Sequence, residues 1–254
     1  MPNQEKQAYK RDSHVTAIVL AGGKGSRMGS EIPKQYLPID GKPLLWYTLR
    51  AFTESDVTDI VLVVGTGETE RCQKEYVEQY GFTKIAAIVE GGKERYDSVE
   101  CGLAAIAAKG LPTDVVLVHD AARACILPRT IHAVIEMAQE NGACIVAVPV
   151  KDTIKQSEDG KSVSATPPRS TLWTVQTPQG FSYPLLQKAY DNMEQMRREN
   201  PQGFTALTIT DDACVVETFL QQTVWIVPGE YTNIKVTTPE DMQIAERFLR
   251  EQIR

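Results

Sequence analysis

Short β-branched runs bounded by turn residues alternate with longer stretches of helical period, and this alternation restricts the fold more than anything else in the chain. The runs cover residues 16–21, 59–65, 84–90, 114–119, 144–149 and 223–228. Helical patterns lie between them at about 43–53, 69–80, 96–109, 128–141 and 183–199, and a closing helix starts at Pro239. Strands that alternate with helices predict βαβ units, so the expected fold class is α/β with a mostly parallel, doubly wound sheet. The closing helix carries the strongest start signals. Thr238 stands at the N-cap, Pro239 at the first helical position, and Glu240 and Asp241 in the first turn.

One stretch breaks the alternation. Residues 151–168 read as a strand (DTIK), a polar turn (SEDG) and a second strand (KSVSAT) ended by two prolines. With no helix to cover it, this β-hairpin is expected to project as an arm that needs a partner. No repeat or linker divides the rest, so residues 15–254 read as a single domain after a polar leader, 1–14. That leader, MPNQEKQAYKRDS and one more residue, has no apolar segment and reads as neither signal peptide nor anchor. The longest apolar runs, such as 17–21 and 145–150, fall far short of the roughly 20 residues that cross a bilayer. The net charge of −6, from 27 Lys and Arg against 33 Asp and Glu, disfavours nucleic acid and membrane surfaces as partners. Five scattered cysteines without a C-x-x-C pair read as reduced core thiols of a cytoplasmic protein.

Open parallel sheets bind ligands beyond the carboxyl ends of their strands. The glycine-rich and charge-rich loops of this chain all follow strands: GGKGSRMG after the first, GGKER after the third, DAAR after the fourth and NIK after the last. The first loop fits neither common phosphate motif. A dinucleotide fingerprint would place glycine where Met28 stands, and the Walker spacing would need glycine at Ile18 and Ser or Thr at Gly25. What remains is a glycine turn with Lys24, Arg27 and Lys34, three cations that call for an anion. Asp97 or Ser98 is positioned to cap the helix after GGKER. Asp120, at a strand end facing the expected cleft, can hold Mg²⁺ or accept hydrogen bonds from hydroxyls. Arg123, one turn later, can clamp a phosphate with two nitrogens. His14, His119 and His132 match no catalytic motif, and Trp46, Trp173 and Trp225 read as core residues.

Seven ordered motifs, AGGKGSRMGSEIPKQYLPIDGKPLL, GGKERYDSVECGL, VLVHDAAR, AVPVKDTIK, RSTLWTVQTPQGF, TDDA and NIKVTTPEDM, resemble the 2-C-methyl-D-erythritol 4-phosphate cytidylyltransferases of the non-mevalonate isoprenoid pathway. The likeness runs from about Val15 to Leu249. It implies a Rossmann-like nucleotidyltransferase fold, CTP and Mg²⁺ as co-substrates, and a homodimer locked by a β-arm at 151–168. It places Ala21, Gly23, Gly25, Gly92 and Ser98 around CTP, and Arg27, Lys34 and Lys235 as catalytic cations on the phosphates. Asp120, Arg123, Thr153, Arg169, Thr177 and Thr210 then surround methylerythritol phosphate, with Thr153 and Arg169 reaching the other subunit's site. Any protein ligand to magnesium is Asp120, the ion being held mostly by the CTP phosphates. The chain departs from the family where Gly22 replaces alanine, Ala124 replaces proline, and Lys93 replaces an acidic residue beside the base. The rival readings are a ribitol 5-phosphate cytidylyltransferase and a non-catalytic nucleotide-binding protein; a dehydrogenase fits least.

Overall fold

The computed structural model describes residues 13–23 and 32–253. Among the described residues nine strands are present: β1 (Val15–Ala21), β2 (Pro38–Ile39), β3 (Lys42–Pro43), β4 (Asp59–Val64), β5 (Ile85–Glu90), β6 (Val115–Asp120), β7 (Ala143–Pro149), β8 (Trp173–Ser182) and β9 (Trp225–Pro228). The helices are α1 (Leu44–Thr53), α2 (Thr69–Cys72), α3 (Arg95–Lys109), α4 (Pro128–Asn141), α5 (Tyr183–Glu199), α6 (Pro201–Thr205), α7 (Asp212–Leu220) and α8 (Pro239–Ile253). The expected α/β class and doubly wound sheet are what the chain adopts.

Seven strands form one sheet in the order β5-β4-β1-β6-β8-β7-β9, parallel throughout except for β8, which runs antiparallel to β6 and β7. The central strands are apolar on both faces because helices cover both. Val15, Ala17 and Val19 of β1 pack toward α1 and α4, whereas Ile18 packs toward α3, with α5 and α7 on the same side. A third apolar cluster seats Ala245 and Leu249 of α8 against Leu44 and Tyr47 of α1. α3 crosses β1 so closely that a Cβ on Gly102 would lie 2.7 Å from Cγ2 of Ile18.

Strand β8 is absent from the periodicity, because Pro178, Gly180 and five polar residues interrupt its apolar pattern. Tertiary contacts place it nonetheless. Gln179 is buried, accepts the N–H groups of Asp212 and Ala213 and donates to Asp211, so its amide ties β8 to the start of α7. α7 was also not expected, although Asp211 caps it through the N–H of Cys214. The pattern at 69–80 forms α2 followed by a wider π-helical stretch, Gln73–Glu78.

The arm differs from the expected hairpin. Residues 151–166 are exposed, and in place of two strands there is a single bridge, Gln156 to Ala165. An isolated two-stranded ribbon with one face in water has too little apolar burial to hold a ladder. Asp159 organises the tip instead, accepting the N–H groups of Lys161 and Ser162. The base continues the β7–β8 pairing, Pro149 opposite Trp173. Two tryptophans are also not core residues: Trp173 is 41% exposed and Trp225 48%, because one lies at the arm base and the other on the edge strand. Trp46 is half-buried against Tyr47 and Tyr80. All five cysteines are free thiols, and burial pushes those of Cys72, Cys125 and Cys144 up to about 12.

Candidate active site

Register places the site. Ala21 pairs with Val64, Val64 with Glu90, and Leu20 with Asp120, so β1, β4, β5 and β6 end at one level and their loops rise from one edge. Ala21, Gly23, Lys34, Gly92, Ser98, Asp120 and Lys235 line a single cleft there, together with Gln35, Lys93, Glu94 and Arg95. Gly25 and Arg27, like Lys24, lie outside the described residues.

The N-terminus of α3 opens onto this cleft, and its unpaired N–H groups make it an anion-attracting end. Glu94 is the N-cap, not Asp97 or Ser98. Asp97 answers three residues on as the second half of a capping box, and the Ser98 hydroxyl turns back to the carbonyl of Glu94. Gly92 is required by packing, since a Cβ there would stand 2.3 Å from that of Asp97.

Lys34, at the start of a short 3-10 helix (Lys34–Tyr36), and Lys235, in the loop before α8, come from opposite ends of the chain. The Lys34 ammonium donates to the Val236 carbonyl at 2.9 Å, and the Val236 N–H donates to the carbonyl of Ala122. Lys235 pairs with Oδ2 of Asp120 at 2.7 Å. Oδ1 of the same carboxylate accepts from Nε of Arg95 at 3.2 Å. Burial pulls the Asp120 carboxyl upward, but the Arg95 and Lys235 charges outweigh it and hold it well below the usual carboxylate range. Arg95 carries the site onward to Asp212, whose Oδ2 lies 2.8 Å from Nη2. Asp212 is fully buried and accepts the Tyr190 hydroxyl on its other oxygen at 2.7 Å.

Behind Asp120 runs a chain of hydrogen bonds. Its N–H donates to the Thr177 hydroxyl, which lies 3.0 Å from Nδ1 of His119, and Nε2 of His119 faces the Arg123 carbonyl at 3.3 Å. Arg123 directs two guanidinium nitrogens to the carbonyls of Asn233 and Val175, fastening its loop to the Asn233 loop and to strand β8. Thr177 is buried beside Asp120, whereas Thr210 is exposed ahead of α7. Thr153 and Arg169 stand on the exposed arm, outside this cleft, and Arg169 donates to the Lys151 carbonyl across the arm base.

Arg95 and Asp212 are the site residues that motif reading did not single out. Arg95 had a signal, a cation at the first position of a helix that follows a glycine pair. Asp212 lies in the TDDA motif but carried no role there, because its neighbour Asp211 accounts for the helix cap and only the fold brings it to Arg95.

The family model for 2-C-methyl-D-erythritol 4-phosphate cytidylyltransferase (IspD) matches residues 15–251. A protein of that name from Lachnoclostridium phytofermentans is 47% identical over 237 residues, 93% of this chain and 97% of its own. Another from Alkaliphilus oremlandii is 47% identical over 94% of this chain and 96% of its own. Among solved structures, the 4-diphosphocytidyl-2C-methyl-D-erythritol synthase of Anaerococcus prevotii superposes with a TM-score of 0.78 at 30% identity, covering 94% of this chain and 96% of its own. The Thermus thermophilus cytidylyltransferase gives 0.71 at 31%, with coverage of 93% and 99%. With near full-length likeness in sequence and in the fold that brings Lys34, Asp120 and Lys235 together, the chain belongs to the 2-C-methyl-D-erythritol 4-phosphate cytidylyltransferase family.

Proposed function

We propose that the chain transfers the cytidylyl group of CTP to 2-C-methyl-D-erythritol 4-phosphate and releases pyrophosphate. The observation that carries this reading is the convergence of Lys34, Lys235 and the start of α3 on one cleft, in a chain of that family. On this reading Ala21, Gly23, Gly25, Gly92 and Ser98 surround CTP. Lys34, with Arg27, faces the leaving pyrophosphate and Lys235 the α-phosphate. Asp120, Thr177 and Arg123 form the acceptor side.

The chemistry follows from charge. The acceptor is a phosphate monoester whose second pKa is about 6, so its attacking oxygen is already anionic and no general base is required. That oxygen bonds to the α-phosphorus, the bond to the α–β bridging oxygen breaks, and the electron pair leaves with pyrophosphate. The barrier is repulsion between anions and charge growing on the leaving group. Fixed cations lower it, and losing one such group costs on the order of 10²–10³ in rate.

The donor set fits a magnesium ion carried on the nucleotide and does not fit a resident metal. Among the described residues no three metal-ligating side chains gather, and both oxygens of Asp120 face cations. Bound with CTP, the ion would neutralise phosphate oxygens and be held mostly by them; Asp120 would ligate it only by giving up its contact to Lys235 or Arg95.

The same reading makes the protein a homodimer. Support comes from an uncovered apolar face beside the arm, where the register puts Trp173, Val175 and Ile226 on one side of the sheet, each more than a third exposed. An isologous partner would cover that face and bring its arm, with Thr153 and Arg169, to the neighbouring cleft. A cytoplasmic location accords with the free thiols, and no helix among the described residues is long and apolar enough to cross a membrane.

The test is ³¹P NMR of a reaction holding CTP, Mg²⁺ and 2-C-methyl-D-erythritol 4-phosphate. The expected product carries a diphosphate bridge between cytidine and the sugar alcohol, with one pyrophosphate per product. Absence of that bridge would refute the assignment.

A further inference from the structure

Arg95 is divided between two carboxylates, and the division is unequal. Its Nη2 forms an ion pair with Oδ2 of the buried Asp212 at 2.8 Å, while its Nε donates a hydrogen bond to Oδ1 of Asp120 at the longer 3.2 Å. Asp212 is held from three directions: Tyr190 donates to its other oxygen, Gln179 accepts its backbone N–H, and α7 begins at it. It reaches no solvent and does not line the cleft. A buried charge of this kind is costly unless something needs it.

We infer that Asp212 is a positioning residue for the reaction: by holding one side of the Arg95 guanidinium it keeps Arg95 from closing on both oxygens of Asp120. This rests on the functional reading above and assigns the acceptor side of that same site. A guanidinium opposite a lone carboxylate favours a two-pronged pair. With Asp212 charged, Asp120 keeps one long contact to Arg95 and presents Oδ2 to Lys235 and to an acceptor hydroxyl. With Asp212 neutral, Arg95 turns onto Asp120, and the acceptor must displace it. On the functional reading the nucleotide side comprises Ala21, Gly23, Gly92 and Ser98, and the hydrogen bonds and ion pair of Asp212 run instead to Tyr190, Gln179 and Arg95.

Asp212→Asn keeps the volume and can still accept from Tyr190, so it isolates the charge. Steady-state kinetics of the purified protein with CTP and 2-C-methyl-D-erythritol 4-phosphate should show the acceptor KM raised about tenfold, within the range measured for directly coupled residues, and the CTP KM changed by less than about twofold. In an Asp120→Asn background the same substitution should shift the acceptor KM by less than about twofold, because the group it acts on has gone. Asp212→Ser, also neutral and able to accept from Tyr190, is the second variant should Asp212→Asn fail to fold, and it should show the same acceptor-specific rise. Equal effects on both KM values, a fall in kcat alone, or additivity with Asp120→Asn would mean that Asp212 only anchors α7, and would overturn the inference while leaving the activity in place. Wild-type protein that turned over no acceptor would overturn the functional reading itself, and the inference with it.

Discussion

His119 is fully buried between Phe52 and the Asp120 loop, and its environment fixes its charge. The Thr177 hydroxyl accepts the Asp120 N–H, so its own proton points to Nδ1 of His119, leaving the Nε2 proton for the Arg123 carbonyl. A second proton on the ring would face the Thr177 hydroxyl with a donor and place a charge in the core. Burial accordingly lowers the His119 pKa from 6.5 to about 3, outweighing the pull of Asp120. The unfolded chain therefore binds a proton that the folded chain refuses. Stability from this group is complete above the unfolded value of 6.5 and is lost as the pH falls from there toward 3. Between pH 8 and pH 5 the loss is about 2 kcal/mol, at about 1.4 kcal/mol per pH unit below pH 6. Carboxylates contribute little in that window, since most of their titration in the unfolded chain lies lower. The assay is urea unfolding followed by tryptophan fluorescence at pH 8, 7, 6 and 5, at one protein concentration, for wild type and His119→Gln. Glutamine supplies one donor and one acceptor without a titrating ring. The wild type should lose about 2 kcal/mol more than the variant over the range. Parallel curves would refute the argument, because the remaining groups are common to both proteins.

Lys34→Ala and Lys235→Ala should each reduce turnover by about two orders of magnitude while shifting the melting temperature little, as judged by pyrophosphate release and thermal unfolding; near-normal rates in both would remove the cations from the mechanism. Arg169→Ala and Lys34→Ala chains, each inactive alone, should recover up to about a quarter of wild-type activity when mixed under subunit exchange, because half the dimers are mixed and half their sites intact; no recovery despite exchange would place Arg169 in its own subunit's site or in none. Gly102→Val should destabilise by about 1–3 kcal/mol in urea unfolding, since α3 packs against Ile18 with no room for a side chain.

The half of the sheet built from β1, β4, β5 and β6 was legible because strands buried on both faces announce themselves as apolar runs, and its loop positions followed from topology. That made the cleft predictable as a place: Lys34, Gly92, Asp120 and Lys235 meet at the edge where strand-following loops must meet. β8 was not legible, because it is held by Gln179 and by pairing on both sides rather than by an apolar pattern. The arm's strands were overread for the opposite reason. DTIK and KSVSAT carry β-branched residues but lack a surface to pack on. The Arg95–Asp212 pair joins positions 117 residues apart, and no spacing rule reaches across that distance.

The central claim, that this cleft joins CTP to a specific sugar-alcohol phosphate, is tested most directly by measuring pyrophosphate release from CTP with 2-C-methyl-D-erythritol 4-phosphate and with ribitol 5-phosphate side by side. The expected result is release that requires the methylerythritol phosphate and exceeds that with ribitol 5-phosphate by a factor of 100 or so in kcat/KM, the discrimination available from two or three mispaired polar groups. Equal release with both acceptors, preference for ribitol 5-phosphate, or none with either would contradict it.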